Sequence, residues 1–337
     1  MKPITYARAT DAANATAETG KDPQSRYLAG GTNILDLMKY SVENPDRLID
    51  VSRLPMSDLS MLSNGGVLLG GMMKNSDTAA HAIIRERYPV LSEAILAGAT
   101  GQIRNMASNG GNLLQRTRCH YFYDIAFKEC NKRNPGSGCA ALNGINRAHA
   151  VLGASEKCIA THPSDMCIAL AALDAVVVTS RPNGETRRIP FTEFHLLPGN
   201  TPQIETVLER GELITGIELP PASAVPFAAK SHYLKVRDRA SYAFALVSVA
   251  SALQIENGVI KSARLVLGGV AHKPWRSKEA EVALVGKPAN TATYKAAAEI
   301  ALKGAKTYKH NAFKVPLAKQ TIIRALEETA SMKEVAA

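Results

Sequence analysis

All five cysteines of this 337-residue chain, Cys119, Cys130, Cys139, Cys158 and Cys167, fall in one stretch, and none stands elsewhere. Residues 115–160 show little apolar periodicity and are rich in Arg, Lys, Gly and Asn. An irregular segment of that length inside a compact domain is unfavourable unless something ties it down. An odd, crowded set of thiols without an apolar leader ahead of it makes a poor disulfide framework. The reading is therefore a metal-ordered insertion, with Cys119, Cys130, Cys139 and Cys158 as ligands. Cys167, among Met166, Ile168 and Leu170 on a helix, reads as a small buried hydrophobe. The ligand spacings are ten, eight and eighteen intervening residues. They fit neither a paired C-x-x-C zinc pattern nor a ferredoxin run, so spacing alone leaves the metal open.

The rest of the chain sets the frame. Hydrophobic residues at 46% and charged residues at 21% match a globular protein and exclude wholesale disorder. The length allows two or three domains. Aromatics are only 5%, fewer than a base- or sugar-stacking protein carries. The formal net charge of +10 suits an anionic cofactor, an acidic subunit or a simply basic soluble protein. No Lys/Arg run is dense enough for a nucleic-acid tail, and no apolar run is long enough to span a bilayer. The first residues show no signal-peptide pattern, so the chain alone reads as soluble and cytoplasmic.

Periodicity gives the elements. A short extended run at 26–31 leads into a helix over 33–39 with Thr32 as its cap, followed by a strand at 48–51. A strand at 67–73 precedes helices at 77–87 and 91–99, with Pro89 stopping or kinking the first. A Ser164- or Asp165-capped helix covers 166–173. A hairpin turns at Pro182-Asn183-Gly184, and a strand follows at 213–219. Residues 222–228 read as a linker. Three strands (232–236, 245–254, 259–268), with Glu256-Asn257-Gly258 as a hairpin turn, and three helices (278–284, 291–304, 315–329) complete the chain.

Two glycine loops carry the chemistry: Leu28-Ala29-Gly30-Gly31-Thr32-Asn33 and Ser108-Asn109-Gly110-Gly111-Asn112. Paired glycines let backbone N–H groups reach a phosphate without a Cβ in the way. Neither loop fits G-x-G-x-x-G or the Walker pattern, which excludes a Rossmann dinucleotide site and a P-loop. Each fits an ordinary turn as well as half of a pyrophosphate clamp. No nucleophile–base pairing, HExxH or GxSxG is evident, so no catalytic residue is assigned.

These loops, with Gln102-Ile103-Arg104-Asn105, His162-Pro163-Ser164-Asp165, Tyr233-Leu234-Lys235-Val236-Arg237-Asp238-Arg239 and Leu267-Gly268-Gly269-Val270-Ala271, resemble the FAD-binding subunit of molybdenum hydroxylases, the xanthine dehydrogenase and aldehyde oxidase family. The resemblance implies an α+β chain. It would hold a vanillyl-alcohol-oxidase-like (PCMH-type) FAD-binding domain of two subdomains, residues 1–55 and 56–221, with the insertion 115–160 in the second. A C-terminal α+β domain of the CO-dehydrogenase flavoprotein type would cover 228–330. By the same resemblance Leu28, Ala29, Gly30, Gly31, Thr32, Asn33 and Ile34 wrap the pyrophosphate, with Arg26 and Tyr27 just ahead of them in the cofactor site. Ser108, Gly111, Asn112 and Leu114 meet the diphosphate and flavin, and Ser164 and Asp165 meet hydroxyls. Leu213 and Ile214 touch the adenine or flavin region, and Lys235 lies near the isoalloxazine edge. The second loop departs from the commoner Thr-Ile-Gly-Gly-Asn pattern at Ser108-Asn109.

The insertion resembles those of two branches that carry a 4Fe–4S cluster on the flavin subunit, 4-hydroxybenzoyl-CoA reductase and, more closely, heterotrimeric bacterial periplasmic aldehyde oxidoreductase. The implied assembly has a large molybdenum subunit that oxidises an aldehyde and a small subunit with two 2Fe–2S clusters. FAD in this chain then hands electrons to an external acceptor such as oxygen, a quinone-like dye or a ferredoxin-type protein. No nucleic acid and no membrane insertion are expected. The implied location is the periplasm, by co-export with a partner that bears a twin-arginine signal. Two rival readings stand: a zinc-stabilised assembly subunit with degenerate flavin loops, and a self-contained flavin oxidase.

Overall fold

The computed structural model describes residues 2–332. The chain opens with β1 (Thr5–Arg8), α1 (Ala12–Lys21), β2 (Ser25–Leu28), α2 (Ile34–Lys39) and β3 (Arg47–Asp50). The strands form a parallel sheet in the order β1-β3-β2, so each helix is a crossover. Asp11 starts α1 by accepting from the N–H of Asn14 at 2.7 Å. Sequence periodicity misses β1 and α1 for a physical reason. The strand is mostly exposed, and the helix buries only Ala15, Thr16 and Thr19 rather than large apolar groups.

The second unit begins with β4 (Leu59–Met61), β5 (Val67–Gly70), α3 (Asn75–Ala80), α4 (Ala82–Arg87) and α5 (Pro89–Ala97). Short helices α6 (Gly101–Arg104), α7 (Asn109–Leu113) and α8 (His120–Tyr123) precede α9 (Asp165–Ala172). The chain then forms β6 (Val176–Ser180), β7 (Thr186–Pro190), α10 (Phe191–Phe194) and β8 (Leu213–Leu219). The five strands make an antiparallel sheet in the order β4-β5-β8-β6-β7. Apolar faces of α5 and α9 join Val67, Leu69, Val177 and Ile217 in the largest core.

One expectation changes here and one holds. The helix read across 77–87 is two helices, because His81 is extended (φ −63°, ψ 130°) and its ring nitrogen accepts from the N–H of Ile83 at 3.3 Å. Pro89 does follow the end of that helix, since α4 stops at Arg87, and it opens α5 at its first position, where the missing N–H costs nothing.

The last unit is β9 (Ser231–Val236), β10 (Val247–Glu256), β11 (Val259–Gly268), β12 (Trp275–Arg276), α11 (Lys278–Leu284), α12 (Thr291–Ala301) and α13 (Lys314–Ser331). Its antiparallel sheet runs β12-β11-β10-β9, and α11, α12 and α13 share a second core with it. The hairpin between β10 and β11 turns through Asn257 (φ 51°) and Gly258 (φ 76°), the pair of positive φ values that a tight hairpin asks for. The stretch 222–228 is not a free linker, since Val225, Phe227 and Ala228 are buried in the main core. Among the described residues no helix is long and apolar enough to cross a membrane.

Candidate functional site

A cleft of about 1040 Å³ opens between the N-terminal sheet, the second glycine loop and the β9 end of the last unit. That is the upper end of the range for small-ligand sites, roughly 300–1,000 Å³, and suits a long ligand. Arg26, Tyr27, Ala29, Gly30, Gly31, Thr32, Asn33 and Ile34 line it. Leu28 does not. It ends β2 opposite Asp50, half-buried in the sheet.

The first loop has the chemistry of an anion site. The backbone N–H groups of Gly30, Gly31, Thr32 and Asn33 find no protein acceptor among the described residues. Four successive free amides on the wall of a cleft form a concave donor surface for a phosphate. Both glycines are forced. A Cβ on Gly30 would lie 2.0 Å from the Met106 carbonyl oxygen, and Gly31 sits at φ +72°. Thr32 is not the cap of α2. Asn33 holds that position without a side-chain cap bond and instead accepts from the N–H of Arg116 at 2.9 Å, fastening the loop to the insertion.

The second loop is a helical turn, α7. Ser108 caps it by accepting from the N–H of Gly111 at 3.2 Å. Ser108, Gly111, Asn112 and Leu114 line the cleft, as do Leu213 and Ile214 from β8. Asn109 points the other way. Fully buried, it bonds Thr78 at 2.9 Å and Asn75 at 3.0 Å, so it clamps the loop to α3. Ser164 caps α9 through the N–H of Cys167 at 3.1 Å and donates to Asn112 at 2.6 Å, so it supports the cleft from behind. Asp165 and Lys235 line the cleft as a buried ion pair at 2.8 Å. Asp165 also accepts from Tyr233 at 2.6 Å, and Lys235 donates to the Ala97 carbonyl at the end of α5 at 3.1 Å.

Sequence reasoning missed the cationic rim. Arg104, Arg116, Arg118, Arg147 and Arg239 join Arg26 and Lys235 around the cleft. Arg116 pairs with Glu43 and Glu205, and Lys132 reaches Glu205 at 2.7 Å. Burial pushes the Glu205 carboxyl up, but Arg116 and Lys132 outweigh it and hold it below the usual carboxylate range.

The insertion brings its four cysteines together. Cys130 and Cys139 face each other across an isolated antiparallel bridge, and Cys158 forms another with Ser155. Burial pushes the Cys119 thiol up to about 12, and the charges of Cys158 and Cys130 add to the shift. Cys158 rises to about 11 by burial, with Cys139 and Cys130 adding to it and Lys132 opposing. Charge effects of this kind act at short range, so the four thiols stand near one another. Backbone groups of Phe122 and Tyr121 at Cys119, and of Ile159, Ala141 and Leu142 at Cys139, hydrogen-bond the sulfurs in the sense that favours thiolate. His149 adds a ring nitrogen 3.1 Å from the Cys119 sulfur. Cys167, as read from sequence, is fully buried in α9 and stands apart from this group. A donor set of four converging thiols fits a metal centre.

Residues 2–222 match the family described as FAD binding domain in molybdopterin dehydrogenase, and residues 232–329 match the CO dehydrogenase flavoprotein C-terminal domain. The chain belongs to this family. It is the FAD-binding subunit of an oxidoreductase of the molybdenum hydroxylase class, a flavin subunit that relays electrons to an acceptor. Its fold is the PCMH-type FAD domain with two subdomains, followed by an α+β domain of the CO-dehydrogenase flavoprotein type. The chain is 50% identical, over 97% of its length and 98% of the relative's, to the aldehyde oxidoreductase FAD-binding subunit PaoB of Escherichia coli K12. It is 27% identical to the glyceraldehyde dehydrogenase medium chain of Sulfolobus acidocaldarius, over 85% of this chain and 83% of that one. Among solved structures it resembles a chain of the carbon monoxide dehydrogenase of Hydrogenophaga pseudoflava, with a TM-score of 0.75 and 25% identity over 98% of this chain and 99% of that chain.

Proposed function

We propose that the chain is the electron-transfer flavoprotein subunit of a heterotrimeric molybdenum-containing aldehyde oxidoreductase, holding FAD in the cleft and a 4Fe–4S cluster on Cys119, Cys130, Cys139 and Cys158. The observation that carries the reading is the pairing of two sites in one chain: four free amides on a long cationic cleft, and four converging thiols in the adjacent insertion. FAD supplies exchange between two-electron and one-electron transfer, and an iron–sulfur cluster supplies one-electron transfer.

The residues of this chain bind and orient. The amides of Gly30–Asn33 would receive the pyrophosphate, with Gly111 of the second loop on the same cleft wall. Asn109 and Ser164 keep that loop in place, while the Asp165–Lys235 pair ties the cleft to β9. In the insertion, backbone donors at Cys119 and Cys139 stabilise thiolates, and Lys132 adds positive charge near Cys158.

An aldehyde as the electron source is supported by the half-identical aldehyde oxidoreductase relative. Its receipt through a large molybdenum subunit and a small subunit with two 2Fe–2S clusters belongs to the same proposal. Zinc is the rival metal for the insertion, and iron and acid-labile sulfide analysis separates the two readings. Export with a signal-bearing partner belongs to the same proposal, and cell fractionation of the complex tests it.

Anaerobic rapid mixing of the whole complex with an aldehyde should bleach the flavin absorbance of this subunit. The same mixing with the isolated chain should leave it unchanged. Reduction of the isolated chain would contradict the relay and favour a self-contained oxidase.

A further inference from the structure

Away from the four insertion cysteines, three chain segments bring His162, Cys167 and His195 into one buried group. Their ligating atoms all lie within 4.8 Å of one another. His162 follows the insertion, Cys167 is in the first turn of α9, and His195 follows α10. The three are 8%, 0% and 4% exposed.

The protonation pattern is fixed by geometry. The His195 Nε2 lies 2.9 Å from the carbonyl oxygen of Leu113. A carbonyl only accepts, so Nε2 carries the hydrogen and Nδ1 is a bare lone pair. That Nδ1 has no hydrogen-bond partner, and neither has the Nε2 of His162. Two buried imidazole nitrogens without a protein partner, beside a buried thiol, are costly to keep unless a ligand meets them. A ring whose far N–H is anchored on a carbonyl is also the usual way a protein orients a histidine ligand.

We propose that His162, Cys167 and His195 form a site for a single divalent zinc ion, separate from the cysteine insertion. Two imidazoles and one thiolate are a borderline-soft N₂S set that suits zinc. The fourth position has room for water, because His162 and His195 also line a polar cavity of about 250 Å³ with Thr117, Gln203, Glu205 and His272. Burial keeps the His195 ring neutral, down at about 4, and holds His162 well below its ordinary value with help from His195 and His272. Neutral imidazole is the ligating form, and binding releases the Cys167 proton to solvent. The ion would tie α9 to the segment after α10. Through His195 and Leu113 it would brace the second glycine loop behind the flavin cleft.

The test is zinc content per chain, by mass spectrometry of the intact complex after dialysis against a mild chelator. Cys167→Ala and His195→Gln should each carry about one zinc fewer per chain than the wild type, with FAD and iron unchanged. Zinc-edge X-ray absorption on the wild type needs no variant, and should show imidazole scatterers with a single sulfur at about 2.3 Å. Equal zinc in wild type and variants, or an all-sulfur shell, would overturn the site. Loss of FAD or iron with zinc unchanged would likewise overturn the site, because both substitutions would then act on packing alone.

Discussion

Gly30→Ala is the sharpest perturbation of the flavin loop. The added methyl would sit 2.0 Å from the Met106 carbonyl oxygen and 2.7 Å from its carbon. Ordinary contacts need about 3.5 Å, so something must move by more than roughly 1 Å. The Met106 segment cannot yield cheaply. Lys74 holds its carbonyl at 3.1 Å, and the N–H of Asn75 holds the next carbonyl, that of Ala107, at 2.9 Å. The glycine loop therefore shifts, and its four amides lose their common aim. Hydrogen bonds to a charged group contribute about 1.5–3 kcal/mol each, so losing two costs about 3–6 kcal/mol. That corresponds to FAD binding weaker by about 10²- to 10⁴-fold. The assay is reconstitution of the flavin-stripped chain with FAD, followed by fluorescence. Gly20→Ala is the control, because a Cβ there meets nothing within 4 Å. A Gly30→Ala Kd within about threefold of wild type would refute the donor-surface argument.

Lys235→Met leaves Asp165 charged and buried, and should destabilise the chain by about 3–5 kcal/mol in urea unfolding. The double variant Asp165→Asn/Lys235→Met should recover part of that, and an equal or larger loss would contradict the pairing. His232 lies 2.9 Å from Glu93 and 3.0 Å from Glu328, which ties α13 and α5 to β9. The hydrogen bond it donates to Glu93 raises its pKa above the ordinary 6.5, with the charges of Glu93 and Glu328 adding to it. A raised folded value gives stabilisation that is complete below about pH 6.5 and is lost as pH climbs through the folded pKa. His232→Gln should flatten that slope in melting profiles taken across neutral pH, and an unchanged slope would remove His232 as its source. Cys158→Ser should strip iron and sulfide and open the insertion to proteolysis between residues 124 and 140. Retention of full iron would exclude Cys158 as a ligand.

Local chemistry explains what was legible in the sequence. The Gly30-Gly31 loop sits between a strand and a helix as its composition demands, and the Asn257-Gly258 turn falls where two positive φ values are required. The crowding of thiols in a segment without periodicity pointed to a metal-ordered insertion, and the fold sets those thiols near one another. What stayed hidden depends on partners distant in sequence. His81 is the local exception, breaking through its bond to the N–H of Ile83 a helix that propensity would continue. Asn109, within the second glycine loop, is spent on Asn75 and Thr78. The Arg116, Glu43, Glu205 and Lys132 network joins three segments that no local pattern links. Cys167 reads as a plain buried hydrophobe, and only the fold sets His162 and His195 beside it.

The most direct measurement of the central claim is the visible spectrum of the anaerobically purified full chain, with FAD, iron, acid-labile sulfide and zinc determined on the same sample. The account predicts flavin bands, with about one FAD, four iron and four sulfide per chain. Flavin without iron and sulfide would contradict the cluster on Cys119, Cys130, Cys139 and Cys158, and a colourless chain would contradict the relay altogether.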